Sequence, residues 1–203
     1  MEATAGASGR RIRPKATRGR PPVRFPEAVP AMNSSRAPRK VSVKPRRFSA
    51  GIVLFRRREG GVQVLLGHMG GPLWQRRDVG AWSIPKGGYG ADEDPFVAAR
   101  REYAEEVGVP LPDDATYLPL GDAVQANNKQ VTAWAVEGDL DPADAVSNTF
   151  QVEWPPRSGR MQSFPEFDRV AWFDLDDARA RIVVAQGAFL DRLREALEPG
   201  TPG

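Results

Sequence analysis

One stretch, Gly87 to Val109, constrains this chain more than any other. It opens on Lys86-Gly87-Gly88, where paired glycines break regular structure and let a backbone approach a ligand closely. Asp94 offers a side-chain oxygen to unpaired helical amides, Pro95 suits a first helical position where its missing N–H is not needed, and Gly108 suits a left-handed stop. The spacing predicts a helix between them. Phe96, Ala99, Tyr103 and Val107 recur at intervals of three, four and four, which draws one apolar stripe facing a sheet. Glu102, Glu105 and Glu106 occupy an adjoining arc of roughly 100°, with Glu106 about 20° from the stripe.

Carboxylates at i, i+3 and i+4 repel one another, and partial burial makes each ionised form costlier. A bound cation removes that conflict. The competing reading is an acidic solvated face with Arg100 and Arg101 as local partners, and the helix alone does not choose between them. Composition limits the cation. With no cysteine and one histidine, His68, any metal must be held by oxygen, which favours Mg²⁺ or Mn²⁺ over zinc.

Charge is divided unevenly. Residues 1–47 hold thirteen Lys/Arg against two acids, and residues 48–203 hold sixteen against twenty-four. The first segment, rich in Pro, Gly, Ser and Arg, is read as a disordered basic tail, with Met32 a candidate alternative start. Its charge attracts nucleic acid only weakly as a partner, because the folded part is net acidic. No apolar run reaches membrane length and the N-terminus lacks an apolar signal core, so no membrane contact and a cytoplasmic location are expected.

Residues 48–203 suit one domain. Strands are predicted at 49–55 and 62–66 as a hairpin, then at 81–85, 117–124, 131–136 and 170–173, with a second helix at 185–197. Residues 67–80 read as a loop, and 139–166 as a long polar connection. Strands, a central helix, more strands and a final helix indicate an α/β fold of the α+β type, a mixed sheet with helices on its faces.

The order Gly87, five residues, Glu93, seven residues, Arg101-Glu102-Tyr103, a spacer, Glu105-Glu106, a spacer, Gly108-Val109 resembles the Nudix box. Tyr103 stands where that family usually has an aliphatic residue, and it can still pack on the stripe. The likeness runs from about Phe48 to Leu197, including Trp172 and an acidic helix start at 174–177. The resemblance implies a Nudix-like α/β/α sandwich and a Mg²⁺- or Mn²⁺-dependent hydrolase that cuts the diphosphate linkage of a small nucleotide. It implies Glu102, Glu105 and Glu106 as metal ligands, Gly87 and Gly88 beside metal and phosphate, Lys86 on a phosphate, and Glu93 with Arg101 as a structural salt bridge. A water would attack phosphorus, with Glu105 or Glu106 as its base and Glu166 the alternative.

Trp82-Ser83-Ile84-Pro85-Lys86-Gly87 resembles the W-x-x-P-K-G approach to the box in diadenosine polyphosphate hydrolases and inositol pyrophosphate phosphatases. A dinucleoside polyphosphate such as diadenosine tetraphosphate, cut to ATP and AMP, is therefore the leading substrate. The alternatives are an oxidised or ordinary nucleoside triphosphate, a nucleotide sugar, or a Nudix-fold binding module without turnover. Trp154, Arg157 and Arg160 are candidates to stack a base or meet remote phosphates, and His68 and Trp74 are candidates to line the nucleotide pocket. A homodimer is compatible with the sequence, though no residue demands one.

Overall fold

A computed structural model describes residues 46–198, Asn127 excepted. Except for Arg46 and Arg47, the expected tail lies outside the described residues. The organising strand is β1 (Arg47–Arg58). Its alternation buries both faces: Ala50, Ile52 and Leu54 enter one core, and Val53 and Phe55 the other. That accounts for a run of apolar residues without polar interruption. Along one edge, β1 pairs in parallel with β6 (Lys129–Glu137), from Arg47 opposite Lys129 to Phe55 opposite Glu137.

The other edge of β1 forks. Its far end pairs with β2 (Gly61–Met69), Phe55 opposite Val64, while its near end pairs with β4 (Lys86–Gly88), Ser49 opposite Gly88. β3 (Trp82–Ser83) lies on β2, so the 82–88 segment wedges into the gap between β1 and β2. Gly51 makes the wedge fit, since a Cβ there would stand 2.5 Å from the Pro85 carbonyl oxygen. The strand expected at 81–85 is therefore two short strands, joined through Ile84 and Pro85. β5 (Tyr117–Val124) extends the sheet beyond β6, and β9 (Phe167–Asp174) extends it beyond β2.

Helix α1 (Pro95–Val107) covers one face with Ala98, Ala99, Tyr103 and Val107. The Asp94 carboxylate accepts from the Phe96 and Val97 amides at 2.8 and 3.1 Å, and Gly108 closes the helix at φ 81°. On the other face lie α2 (Leu175–Arg181) and α3 (Gly187–Leu197), which contribute Ala178, Phe189, Leu190 and Leu193. Each fully buried side chain of Val or Leu size stabilises by roughly 1.5–3 kcal/mol. The result is the expected α/β/α sandwich around a mixed sheet.

Two regions differ from expectation. Only the acidic start of α2 was anticipated, and the last helix is preceded by a 3₁₀ turn, Val184–Gln186. The connection at 139–166 is also not irregular throughout: it holds a 3₁₀ turn, Pro142–Asp144, and an antiparallel hairpin of β7 (Thr149–Glu153) and β8 (Met161–Pro165). This hairpin stands apart from the main sheet. It only half-buries Phe150, Val152 and Phe164, so no strong period-2 pattern marks it in the sequence.

Candidate active site

The wedge places β4 against α1. Gly87 is required there because a Cβ would fall 1.6 Å from Glu102 Oε2 and 1.9 Å from its Cδ. Glu102 thus rests on bare backbone, with Oε1 accepting from Arg101 Nη1 at 2.7 Å. Arg101 also grips Glu93, with Nε donating to Oε1 at 3.0 Å and Nη2 to Oε2 at 3.2 Å, and it reaches the Gly88 carbonyl at 3.4 Å. These bonds, that to Glu93 first, raise the guanidinium above its usual range. The fork-on-carboxylate geometry pins the glycine loop to the helix. Glu105 is at the outer edge, 44% exposed and 3.4 Å from Arg101 Nη1.

Glu106 is buried, and its Oε2 accepts from the Lys86 amide at 2.8 Å. Burial pushes its carboxyl up to about 8; Lys86 opposes the shift and the neighbouring Glu166 adds to it. Burial likewise raises Glu102, Arg101 opposes, and the charges of Glu105 and Glu166 reinforce the rise. Glu166, far off in the sequence, is therefore part of the same acidic cluster. Its backbone is clamped on both sides: the amide donates to the Asn148 carbonyl at 2.8 Å, and the carbonyl accepts from the Gly70 amide at 2.8 Å.

Among the described residues, no three acidic or histidine side chains converge tightly enough to cage an ion as they stand. Glu102 is turned to Arg101 and Glu106 to the Lys86 amide. The donor set nonetheless suits a hard divalent cation, because it is all carboxylate oxygen and crowds like charges in partial burial.

Lys129 is a member of this neighbourhood that sequence reasoning missed. It is lowered to about 8, chiefly by burial and further by Lys86 and Arg47, while Glu106 and Glu102 oppose. No local pattern could have found it: the parallel register of β1 on β6 brings it here.

Trp74, Trp154 and Arg157 meet around a cavity of about 480 Å³, together with Phe150 and Val152. Arg160 lies outside its lining, exposed on the hairpin tip. His68 lies outside it too. That ring is fully buried, with Nε2 2.7 Å from the Arg77 carbonyl and Nδ1 2.7 Å from Asp168 Oδ1. It braces the 70–78 loop instead of facing a ligand.

Comparison with known proteins gives this geometry a family. Over 57 residues the chain is 46% identical to an RNA pyrophosphohydrolase of Cellvibrio japonicus (strain Ueda107), spanning 27% of this chain and 33% of that relative. The match thus covers about a third of the relative's length. The fold is similar to a C. elegans Ap4A hydrolase binary complex (TM-score 0.52, 22% identity, 73% of this chain and 97% of that one). It is also similar to the NUDIX domain of Shewanella oneidensis NrtR complexed with ADP ribose (TM-score 0.51, 17% identity, 76% and 90%). At these identities the two structures speak for the fold alone. The family model of the NUDIX domain matches residues 45–193, and by that match, which takes in the glycine loop, α1 and the hairpin, the chain belongs to the Nudix family.

Proposed function

We propose that this protein is a Mg²⁺- or Mn²⁺-dependent hydrolase of phosphoric anhydrides in nucleotides, with a dinucleoside polyphosphate such as diadenosine tetraphosphate as its leading substrate. The observation that carries the reading is the gathering of Glu102, Glu106 and Glu166 behind a glycine loop with Lys86 beside it. Carboxylates packed this way destabilise one another unless a cation joins them.

Glu102, Glu105 and Glu106 would hold the ion. Once bound, it neutralises charge on the anhydride oxygens and makes a water more acidic. The chain's own groups do the rest. Gly87 and Gly88 let phosphate approach the backbone, and Lys86 sets a point charge against a nonbridging oxygen. The Glu93–Arg101 pair keeps Glu102 aimed at the loop. Glu105 or Glu106 takes the proton of the attacking water, with Glu166 as the alternative acceptor, and Glu166 shares the neighbourhood of Glu106 in either case. The cavity lined by Trp74, Phe150 and Trp154 offers aromatic faces for a base, and Arg157 a charge for its phosphate.

The test is a Mg²⁺ screen with diadenosine tetraphosphate, oxidised dGTP, ADP-ribose, ordinary triphosphates and a 5′-triphosphorylated RNA, with products separated by chromatography. ATP plus AMP from diadenosine tetraphosphate, abolished by Glu105→Gln and Glu106→Gln, supports the proposal. Turnover confined to another member of the panel reassigns the substrate, and a folded, metal-binding protein that cuts none of them sinks the hydrolase reading.

A further inference from the structure

Glu102, Glu105 and Glu106 are carried by α1, whereas Glu166 stands on the Pro165-Glu166-Phe167 junction where the hairpin rejoins β9. Connections of this kind move more freely than the elements they join. This one is held peptide by peptide. The Glu166 amide donates to the Asn148 carbonyl at 2.8 Å, and the Glu166 carbonyl accepts from the Gly70 amide at 2.8 Å. The Ser147 hydroxyl secures both peptides that flank the Glu166 Cα. Its Oγ accepts from the Phe167 amide at 2.9 Å and donates at 3.1 Å to the Asn148 carbonyl, the same oxygen that takes the Glu166 amide.

Two further features aim the junction. A Cβ on Gly70 would stand 1.9 Å from the Pro165 carbonyl oxygen and 2.9 Å from its carbon, so the residue that follows β2 must be glycine for the junction to come this close. Pairing of β2 with β9 then steps from His68 opposite Arg169 to Met69 opposite Phe167, which leaves Asp168 as an extra residue. Such bulges bend a strand and re-aim its side chains, and they gather beside active sites. The Asp168 carboxylate is secured in turn by His68 Nδ1 at 2.7 Å. The sheet does not require this clamp for closure, since β2 and β9 already pair from Gln63 opposite Asp174 to Gly67 opposite Val170. What the clamp fixes is a carboxylate whose charge reaches Glu102 and which hydrogen-bonds with Glu106.

We infer that Ser147 and Gly70 are positioning residues for the hydrolytic step: from opposite sides they hold the β8–β9 junction so that the Glu166 carboxylate stays against Glu106. The inference rests on the carboxylate cluster being the hydrolytic centre. It holds whether Glu166 takes the proton of the attacking water or only supplies charge beside Glu106. A junction released from its clamp lets the carboxylate drift, and a misplacement of about 1 Å in a catalytic constellation costs on the order of 10²-fold in rate. Ser147 lies outside the lining of the Trp74 and Trp154 cleft, so its loss falls on kcat and not on KM.

A double-mutant cycle on the full-length chain tests it, with Mg²⁺ and whichever nucleotide of the same screen the wild type cuts fastest. Ser147→Ala is expected to lower kcat about tenfold or more with KM within about twofold of wild type, and Ser147→Thr, which keeps the oxygen, to restore most of the loss. Gly70→Ala is expected to lower kcat on the order of 10²-fold. Melting temperatures confirm that each variant is folded at the assay temperature, and should Gly70→Ala fail to fold, the serine variants decide. The double variant Ser147→Ala/Glu166→Gln is expected to match Glu166→Gln alone within about twofold, because the clamp then has no carboxylate left to aim. A hydroxyl that merely supported the fold would multiply the two losses. Multiplied losses overturn the inference, as does wild-type kcat in Ser147→Ala or in Glu166→Gln, or a threonine variant as slow as the alanine one. A wild type that cuts no nucleotide removes the hydrolytic reading and this inference with it, whereas multiplied losses in an active enzyme remove the inference alone.

Discussion

At the scale of single residues, the acidic cluster makes its own tests. Gly87→Ala places a Cβ where Glu102 Oε2 now lies, 1.6 Å away, so the carboxylate must swing out. A displacement of this size in a catalytic constellation lowers rates on the order of 10²-fold. We expect kcat/KM to fall by about that much while the circular dichroism spectrum and melting temperature stay near wild type; full activity would show that Glu102 is not needed at this position. Glu106 gives a pH signature. Its carboxyl is raised from 4.5 to about 8 in the folded protein, so between those values the folded state holds a proton that the unfolded chain has lost. This stabilisation is complete below about pH 4.5 and fades as pH climbs to about 8, with a slope of at most about 1.4 kcal/mol per pH unit. Denaturant titrations of the metal-free protein from pH 5 to 8 should therefore show declining stability, flattened in Glu106→Gln and offset by Mg²⁺. An equal decline in wild type and variant assigns the effect to other groups. The sequence exposed these glutamates as an arc beside an apolar stripe, because helical periodicity is local. The place of Glu106 beside the stripe pointed to partial burial, and the family resemblance offered Glu166 as an alternative base; how deeply Glu106 is buried, and that Glu166 acts on it directly, depend on what packs against the helix.

At the scale of elements, α1 and the hairpin differ in how much they announce themselves. Every device that bounds α1 is adjacent in sequence, which made the helix legible. Gly108 carries a further load: it sits at φ 81°, and a Cβ there would meet the Val146 carbonyl oxygen at 2.9 Å, while the Val146 amide donates to the Val107 carbonyl at 2.9 Å. Gly108→Ala is expected to cost about 1–2 kcal/mol from the left-handed backbone alone, read by urea denaturation. A loss under 0.5 kcal/mol on the scale of ordinary surface changes would mean that the cap relaxes freely. The β7–β8 hairpin stands outside the main sheet, and its two ends already meet through the Glu166 amide and the Asn148 carbonyl at 2.8 Å. Replacing residues 150–164 with a short Gly-Ser linker should leave a cooperative unfolding transition and raise KM for nucleotides. Loss of cooperative folding would show instead that the hairpin belongs to the core.

At the scale of the whole molecule, one buried network joins the last third of the chain to the wedge. Gln186 Oε1 accepts from the Ile84 amide at 3.0 Å and the Ser83 hydroxyl at 3.2 Å, and the Val183 amide donates to the Trp82 carbonyl at 2.8 Å. The segment before α3 thus holds the strand that presents the glycine loop. Gln186→Leu strands a buried amide and should lower stability by roughly 1–3 kcal/mol, measured by thermal or chemical unfolding. A neutral result would mean that the amide finds another partner. Among the described residues, no helix is long and apolar enough to cross a membrane.

The sequence by itself determined the helix with its caps, the arc of glutamates, most of the strands and the restriction to oxygen ligands, since each follows from neighbours a few positions apart or from composition. Only the tertiary structure decided which distant groups join that helix. The fork in β1 admits the wedge, the parallel register delivers Lys129 beside Arg47, and the β8–β9 junction delivers Glu166. Burial on all sides turned His68 into a brace. Non-local strand pairing leaves no local period in the residues it joins, because its register is set by loop closure and by the packing of both sheet faces.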